Sequence, residues 1–210
     1  EENDDGDASP PTAAALPLRR GGPAVTWDLG EAHYRRSEES WAEAGRPRAR
    51  ITVTASGTEL VIDVRVTASA LVMVAADAAN PYDNEHPDIN GSGVQLYVAT
   101  GLDSGAWMIV PSTGQREARV RALGGWGTLA LHRAVWRPTT DGYELSAHVA
   151  LGGGATAAAP IALDVLVNDA APGRERRRGQ LVLSGAEGEF VYLRGDRHDP
   201  ARLVPLVLTD

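Results

Sequence analysis

The densest run of side chains able to do chemistry lies between Asp77 and Val98, reading DAANPYDNEHPDINGSGVQLYV. Asp77, Asn80, Asp83, Asn84, Glu85, Asp88 and Asn90 fall close together, interrupted by Pro81, Pro87, Gly91 and Gly93. Calcium takes about six to eight oxygens from carboxylates, amides and carbonyls, and such a loop can supply them. Asp77, Asp83, Glu85, Asp88 and Asn90 are therefore the candidate ligands for a hard cation. Asp88-Ile89-Asn90-Gly91-Ser92-Gly93 imitates the opening of an EF-hand loop, but Ala99 stands where that loop needs its bidentate Glu. An apolar run, Val94 to Val98, follows in place of a helix. The plainer reading is a solvated loop held by Asx turns that leads the chain into a strand.

Five Trp against a single Phe is an unusual balance. Exposed indoles cover much apolar area at little entropic cost and can stack on sugar rings. Trp27, Trp41, Trp107, Trp126 and Trp136 are the candidates, with Trp126 expected to be the most exposed because glycines flank it in a turn. The alternative for each is a place in the core. Arg174, Arg176, Arg177 and Arg178 could grip carboxylates, phosphates or an acidic partner surface, or pair with Glu175 and the acidic loops. His33, His86, His132, His148 and His198 show neither HExxH nor paired metal spacing, and there is no GxSxG, Walker or GxGxxG motif. No pair of acids can be given acid and base roles. These absences point to binding, not to an enzyme.

Composition narrows the partners. Net charge is −8, but five acids sit in the first seven residues, so the body is only mildly acidic. A nucleic-acid binder carries a basic face to release phosphate counterions, and this balance argues against one. With no Cys, disulfides, thiolate metal sites and cysteine nucleophiles are excluded. Every basic side chain is Arg, which also removes Schiff-base and P-loop lysine chemistry. No apolar run approaches the roughly 20 residues of a membrane span.

The elements that must position these groups read as strands. Residues 1–24 read as an acidic, Pro- and Ala-rich extended tail or linker, too poor in large apolar residues to offset the entropy of ordering. Residues 25–210 read as one domain. Ser37 to Gly45 carries the single short helix expected, with Ser37 as N-cap and Gly45 at C′. Ile51–Ala55 and Leu60–Val66 alternate around Ser56-Gly57-Thr58 as a hairpin with one wet face. Strands are further expected at Leu71–Ala76, Val94–Thr100, Ala106–Val110, Glu117–Leu123, Leu129–Val135, Tyr143–Leu151, Ile161–Val167, Gln180–Ser184, Glu189–Arg194 and Leu203–Leu208. About a dozen short strands with turn signals between them predict an all-β, antiparallel β-sandwich of jelly-roll type.

The order of motifs resembles carbohydrate-binding module family 9 and the related DOMON-like sandwiches. Trp41-Ala42 is similar to the early Trp segment of the family, and Gly93-Val94-Gln95-Leu96-Tyr97-Val98 to its central strand. Asp141-Gly142-Tyr143-Glu144-Leu145 and Asp164–Arg178 (DVLVNDAAPGRERRR) match two further segments. The resemblance implies a non-catalytic, extracytoplasmic (periplasmic or secreted) module, often with bound calcium, that grips sugar chain ends between two Trp. On that reading Trp126 with Trp107 or Trp136 stacks on a sugar while Asn168, Asp169 and Arg174 bond its hydroxyls. The chain departs from the family at Leu181-Val182-Leu183, where a Trp is usual, and at Gly93 and Gln95, where acids are common. Some DOMON-like relatives hold haem between Met and His. Only Met73 and Met108 could serve here, and haem is not expected. The alternative function is a scaffold subunit of a larger extracytoplasmic or membrane-associated complex, held to partner protein chains by its N-terminal tail and surface loops, with no sugar ligand.

Overall fold

The computed structural model describes residues 14–82, 84–152, 158–187, 190–193 and 197–210. Its strands are, in order, β1 (Leu16–Arg19), β2 (Val25–Leu29), β3 (Tyr34–Arg36), β4 (Arg48–Ser56), β5 (Glu59–Thr67), β6 (Gly93–Thr100) and β7 (Ser104–Val110). They continue with β8 (Arg119–Ala122), β9 (Ala130–Thr139), β10 (Gly142–Ala150), β11 (Ala158–Asp169), β12 (Gly179–Val182) and β13 (Val204–Thr209). Among the described residues the only helical pieces are single 3-10 turns. The expected all-β sandwich is the fold.

Strict alternation builds one sheet. In β4, β5 and β10 every second side chain is buried, so one face meets the core and the other meets water. Their register places Ile51 beside Val64 and Val64 beside Leu145, which stacks the apolar faces in rows. With β2 and β9 at its edges this sheet runs β2-β4-β5-β10-β9, antiparallel throughout. Gly142 opens β10 so close to β5 that a Cβ there would overlap the Val66 carbonyl.

Continuous apolar runs build the other sheet. β6, β7 and the second half of β11 are buried on both faces, as the run Val94–Val98 requires. The path is β1-β13-β11-β6-β7-β8, and the long β11 also takes β12 and then β3 alongside its end. Its inner face, with Leu96, Ile109 and Val165, packs on Ile62, Val64 and Leu145 of the first sheet. Each such side chain contributes about 1.5–3 kcal/mol by leaving water. Its outer face carries a second cluster of Ile89, Tyr97, Met108, Leu166 and Leu203, roofed by loops and 3-10 turns. Met108 is thus a core residue, and its sulfur takes the Asn168 amide at 3.8 Å.

Four local expectations need correction. Part of the stretch read as tail is a strand: β1 pairs in parallel with β13, Leu18 is fully buried, and Arg20 bonds Asp210 at 2.5 Å. The spacing of Leu16 and Leu18 is strand spacing, and an open sheet edge supplies the hydrogen bonds that the segment lacks alone. Residues 1–13 lie outside the described residues. The helix expected over 37–45 is a tight turn, in which Ser40 and Glu43 exchange side-chain bonds to each other's N–H. Trp41 donates to the Pro47 carbonyl at 2.8 Å, which turns the chain before a second helical turn can nucleate. Leu71–Ala76 joins no ladder. Val72 is tied instead to Ser92, through N–H to Oγ at 2.9 Å and C=O to N–H at 2.8 Å. Of the strand expected at Glu189–Arg194, Val191–Leu193 is a 3-10 turn.

Candidate functional site

The loop that looked like a cation site spends its polar groups internally. Asp88 is buried, and both its oxygens accept from Arg121 at 2.8 Å. Asn90 accepts the Arg177 N–H at 3.1 Å. Asn80 receives the Tyr82 N–H, an Asx turn of the kind its composition suggests. Asp77 is exposed, and Asp77, Glu85 and Asp88 do not bring their carboxylates together as one ligand group. Asp83 lies outside the described residues. Among those described, the set does not fit a calcium cage.

The residues expected to clamp a sugar are likewise dispersed. Trp107 and Trp136 are buried in the core between the sheets. Trp126 is half-buried on the opposite face of the eight-stranded sheet, its ring 5.1 Å from that of Tyr97. Trp27 and Trp41 are partly buried against the main core. None of the five Trp is fully exposed. Asn168 is buried and receives the Gln180 amide at 2.8 Å. Asp169 accepts from the Tyr34 hydroxyl and from Arg178 Nε, both at 3.0 Å. Burial and the Asp169 charge together hold the Tyr34 phenol well above its ordinary range. Arg174 reaches the surface but is engaged by Glu38 at 3.2 Å and by the Tyr192 hydroxyl at 3.1 Å. These three residues brace the ends of β11 and β12 and the turn between them.

The open site is elsewhere, on the wet face of the five-stranded sheet. A groove of about 720 Å³ runs across β4, β5, β10 and β9. Register explains its floor. Thr52, Asp63, Ser146 and Val135 stand in one cross-strand row, and Arg50, Arg65, Glu144 and Arg137 in the next. The second row is an ion-pair ladder: Arg65 meets Glu144 at 2.6 Å, Arg137 Nε meets it at 2.7 Å, and Arg50 meets Asp28 at 2.7 Å. Partial burial pulls the Glu144 carboxyl upward, but hydrogen bonds from Arg65 and Arg137 outweigh it and hold the group below its usual range. Gln115 and Arg116 form a wall, fixed where the Arg116 carbonyl accepts the Trp136 N–H at 2.8 Å.

The groove thus offers planar donors and carboxylate acceptors already oriented by one another. Among the described residues the side chains of Asp63, Gln115 and Arg116 bond to no other group, leaving their hydrogen-bonding capacity to a ligand. Sequence reading missed this face. Its signal was present in the wet positions of the predicted hairpin, where Arg50, Thr52, Asp63 and Arg65 alternate with buried apolar residues. Nothing local marked those residues as more than solubilising.

The chain is a two-sheet sandwich with an open polar groove across one sheet, and its fold is similar to that of carbohydrate-binding module family 9. The chain superposes on such a module from Caldicellulosiruptor kristjanssonii in complex with cellotriose, with TM-score 0.63 and 10% identity over 93% of this chain and 94% of that one. The same family's module in complex with glucose gives 0.64 and 10% over 93% and 96%. A Bacteroides uniformis protein whose name proposes carbohydrate binding gives 0.52 and 11% over 88% and 86%. No protein-family model and no curated protein matches the sequence.

Proposed function

We propose that the protein is a non-catalytic carbohydrate-recognition module, extracytoplasmic in location, whose ligand lies in the groove of the five-stranded sheet. The observation that carries this reading is the partnerless polar wall and floor, Asp63, Gln115 and Arg116, beside the Arg65–Glu144–Arg137 ladder. Sugar hydroxyls donate and accept at once. They are matched by carboxylates, amides and guanidinium groups held at fixed positions, and pockets of roughly 300–1,000 Å³ suit small ligands. Fold likeness supports the class, since the two family modules above are complexes with cellotriose and glucose. Recognition here relies on polar contacts, because Trp136, the aromatic residue among those lining the groove, is buried in the core, and affinity for a short oligosaccharide is expected to be modest.

The experiment is a panel of soluble oligosaccharides, cellotriose included, titrated calorimetrically into the wild-type protein and Asp63→Ala. One or more sugars should bind the wild type and bind Asp63→Ala about tenfold more weakly, the loss of a hydrogen bond to a charged group. No binder in the panel, or equal binding by Asp63→Ala, would contradict the proposal.

A further inference from the structure

Beyond the groove, the same sheet carries a cluster that the sequence did not reveal. We propose that Glu59, His132 and His148 form a binding site for one borderline divalent transition metal, Zn(II) in the first instance. Glu59 Oε1 lies 2.8 Å from His148 Nδ1, and Glu59 Oε2 lies 2.8 Å from His132 Nε2. The three ligand atoms all fall within 4.8 Å of one another. Zinc bonds imidazole nitrogen and carboxylate oxygen at about 2.0–2.2 Å in tetrahedral geometry, so donors around it stand roughly 3.4 Å apart. Small side-chain rotations bring this cluster to that spacing. The metal then takes the place of the protons now shared between each ring and the carboxylate.

Three neighbouring strands hold the ligands. Glu59 opens β5 opposite Ala150, His148 stands two residues earlier on β10 opposite Val61, and His132 lies on β9. A β-bulge produces the third ligand. Arg133 pairs with His148 and Leu131 with Val149, which leaves His132 as the extra residue. In a regular strand neighbours point to opposite faces, yet His132 and Arg133 are both exposed. Bulges of this kind re-aim a side chain, and here the re-aimed ring meets Glu59. Ser146 Oγ lies 3.4 Å from Nε2, the other ring nitrogen of His148, and steadies the ring.

Two imidazoles and one carboxylate suit zinc, copper(II) or nickel better than calcium or magnesium, which want mostly oxygen. The fourth position faces solvent, so the site would hold a water or an outside ligand. The inference does not depend on the carbohydrate reading, since the metal ligands are not the groove residues that reading uses.

The test uses the full chain without an affinity histidine tag, stripped with chelator and titrated with ZnCl₂ by calorimetry. One Zn(II) per chain should bind in the micromolar range, and His132→Ala and His148→Ala should each weaken it at least tenfold. Each variant's melting temperature in chelator reports that it has folded. Copper(II) bound to the wild-type protein should show two imidazole nitrogens by electron paramagnetic resonance, a readout that needs no variant. Absence of stoichiometric zinc binding, zinc affinity unchanged in both His variants, or a copper spectrum with no imidazole nitrogen would overturn the proposal.

Discussion

The outer faces of the two sheets use the same residue types to opposite ends. Over the eight-stranded sheet, polar groups are roofed and paired with one another: Asp164 with His198 at 2.7 Å, both fully buried, and Gln180 with Gln95 at 2.8 Å. Over the five-stranded sheet, Asp28, Arg50, Arg65, Glu144 and Arg137 pair in a row that still faces water, and Asp63 pairs with nothing described. The difference teaches where function can sit. A polar group that completes the fold has no bond left for a ligand, whereas one on a rigid open floor does.

The contrast makes graded predictions. The largest effect should come from Asp164→Ala, which strands a buried His198 and removes the acceptor of the Ser184 hydroxyl. Breaking such a pair costs about 3–5 kcal/mol, read as a lowered urea midpoint. Gly142→Ala should come next, at about 1–3 kcal/mol, because the added methyl group overpacks the β5–β10 junction. Glu144→Gln on the open face should cost no more than about 1 kcal/mol of stability while weakening oligosaccharide binding severalfold. A loss of stability comparable to that of Asp164→Ala would erase the distinction between the faces.

The smallest effect is the dependence on pH. Hydrogen bonds from the Thr128 backbone and side chain and from the Ser104 N–H hold the Asp103 carboxyl below its usual range, and Glu144 is held low as described. A carboxylate with a depressed folded-state pKa stabilises the fold above its unfolded value, near pH 4. That contribution should disappear as pH falls below 4 toward the folded values. Melting temperature should be flat from neutrality to about pH 5 on account of these groups and decline below pH 4, and Asp103→Asn should flatten part of the decline.

How much was legible follows the same division. Alternation at Leu60, Ile62, Val64 and Val66, and at Tyr143, Leu145, Ala147 and Val149, was enough to place β5 and β10 and their wet faces, because period-two burial is a local property. β1 was not legible, since Leu16 and Leu18 become a strand only when the distant Leu206–Leu208 edge is there to pair with. Asp88 was read as a cation ligand and Asn168, Asp169 and Arg174 as partners for sugar hydroxyls, whereas the structure pairs each of them with another side chain. Whether Asp88 is a ligand or a brace depends on Arg121, thirty-three residues away. The groove and the Glu59–His132–His148 cluster arise from register and from one bulge, which composition does not encode.

The most direct test of the open-face account is an amide chemical-shift titration of the labelled protein with whichever panel oligosaccharide binds. Shifts should concentrate at Thr52, Asp63, Arg65, Gln115, Glu144 and Ser146, and should leave Trp126, Asn168, Asp169 and Arg174 unmoved. Shifts centred on Arg174 and the exposed Phe190, with the five-stranded sheet silent, would contradict it.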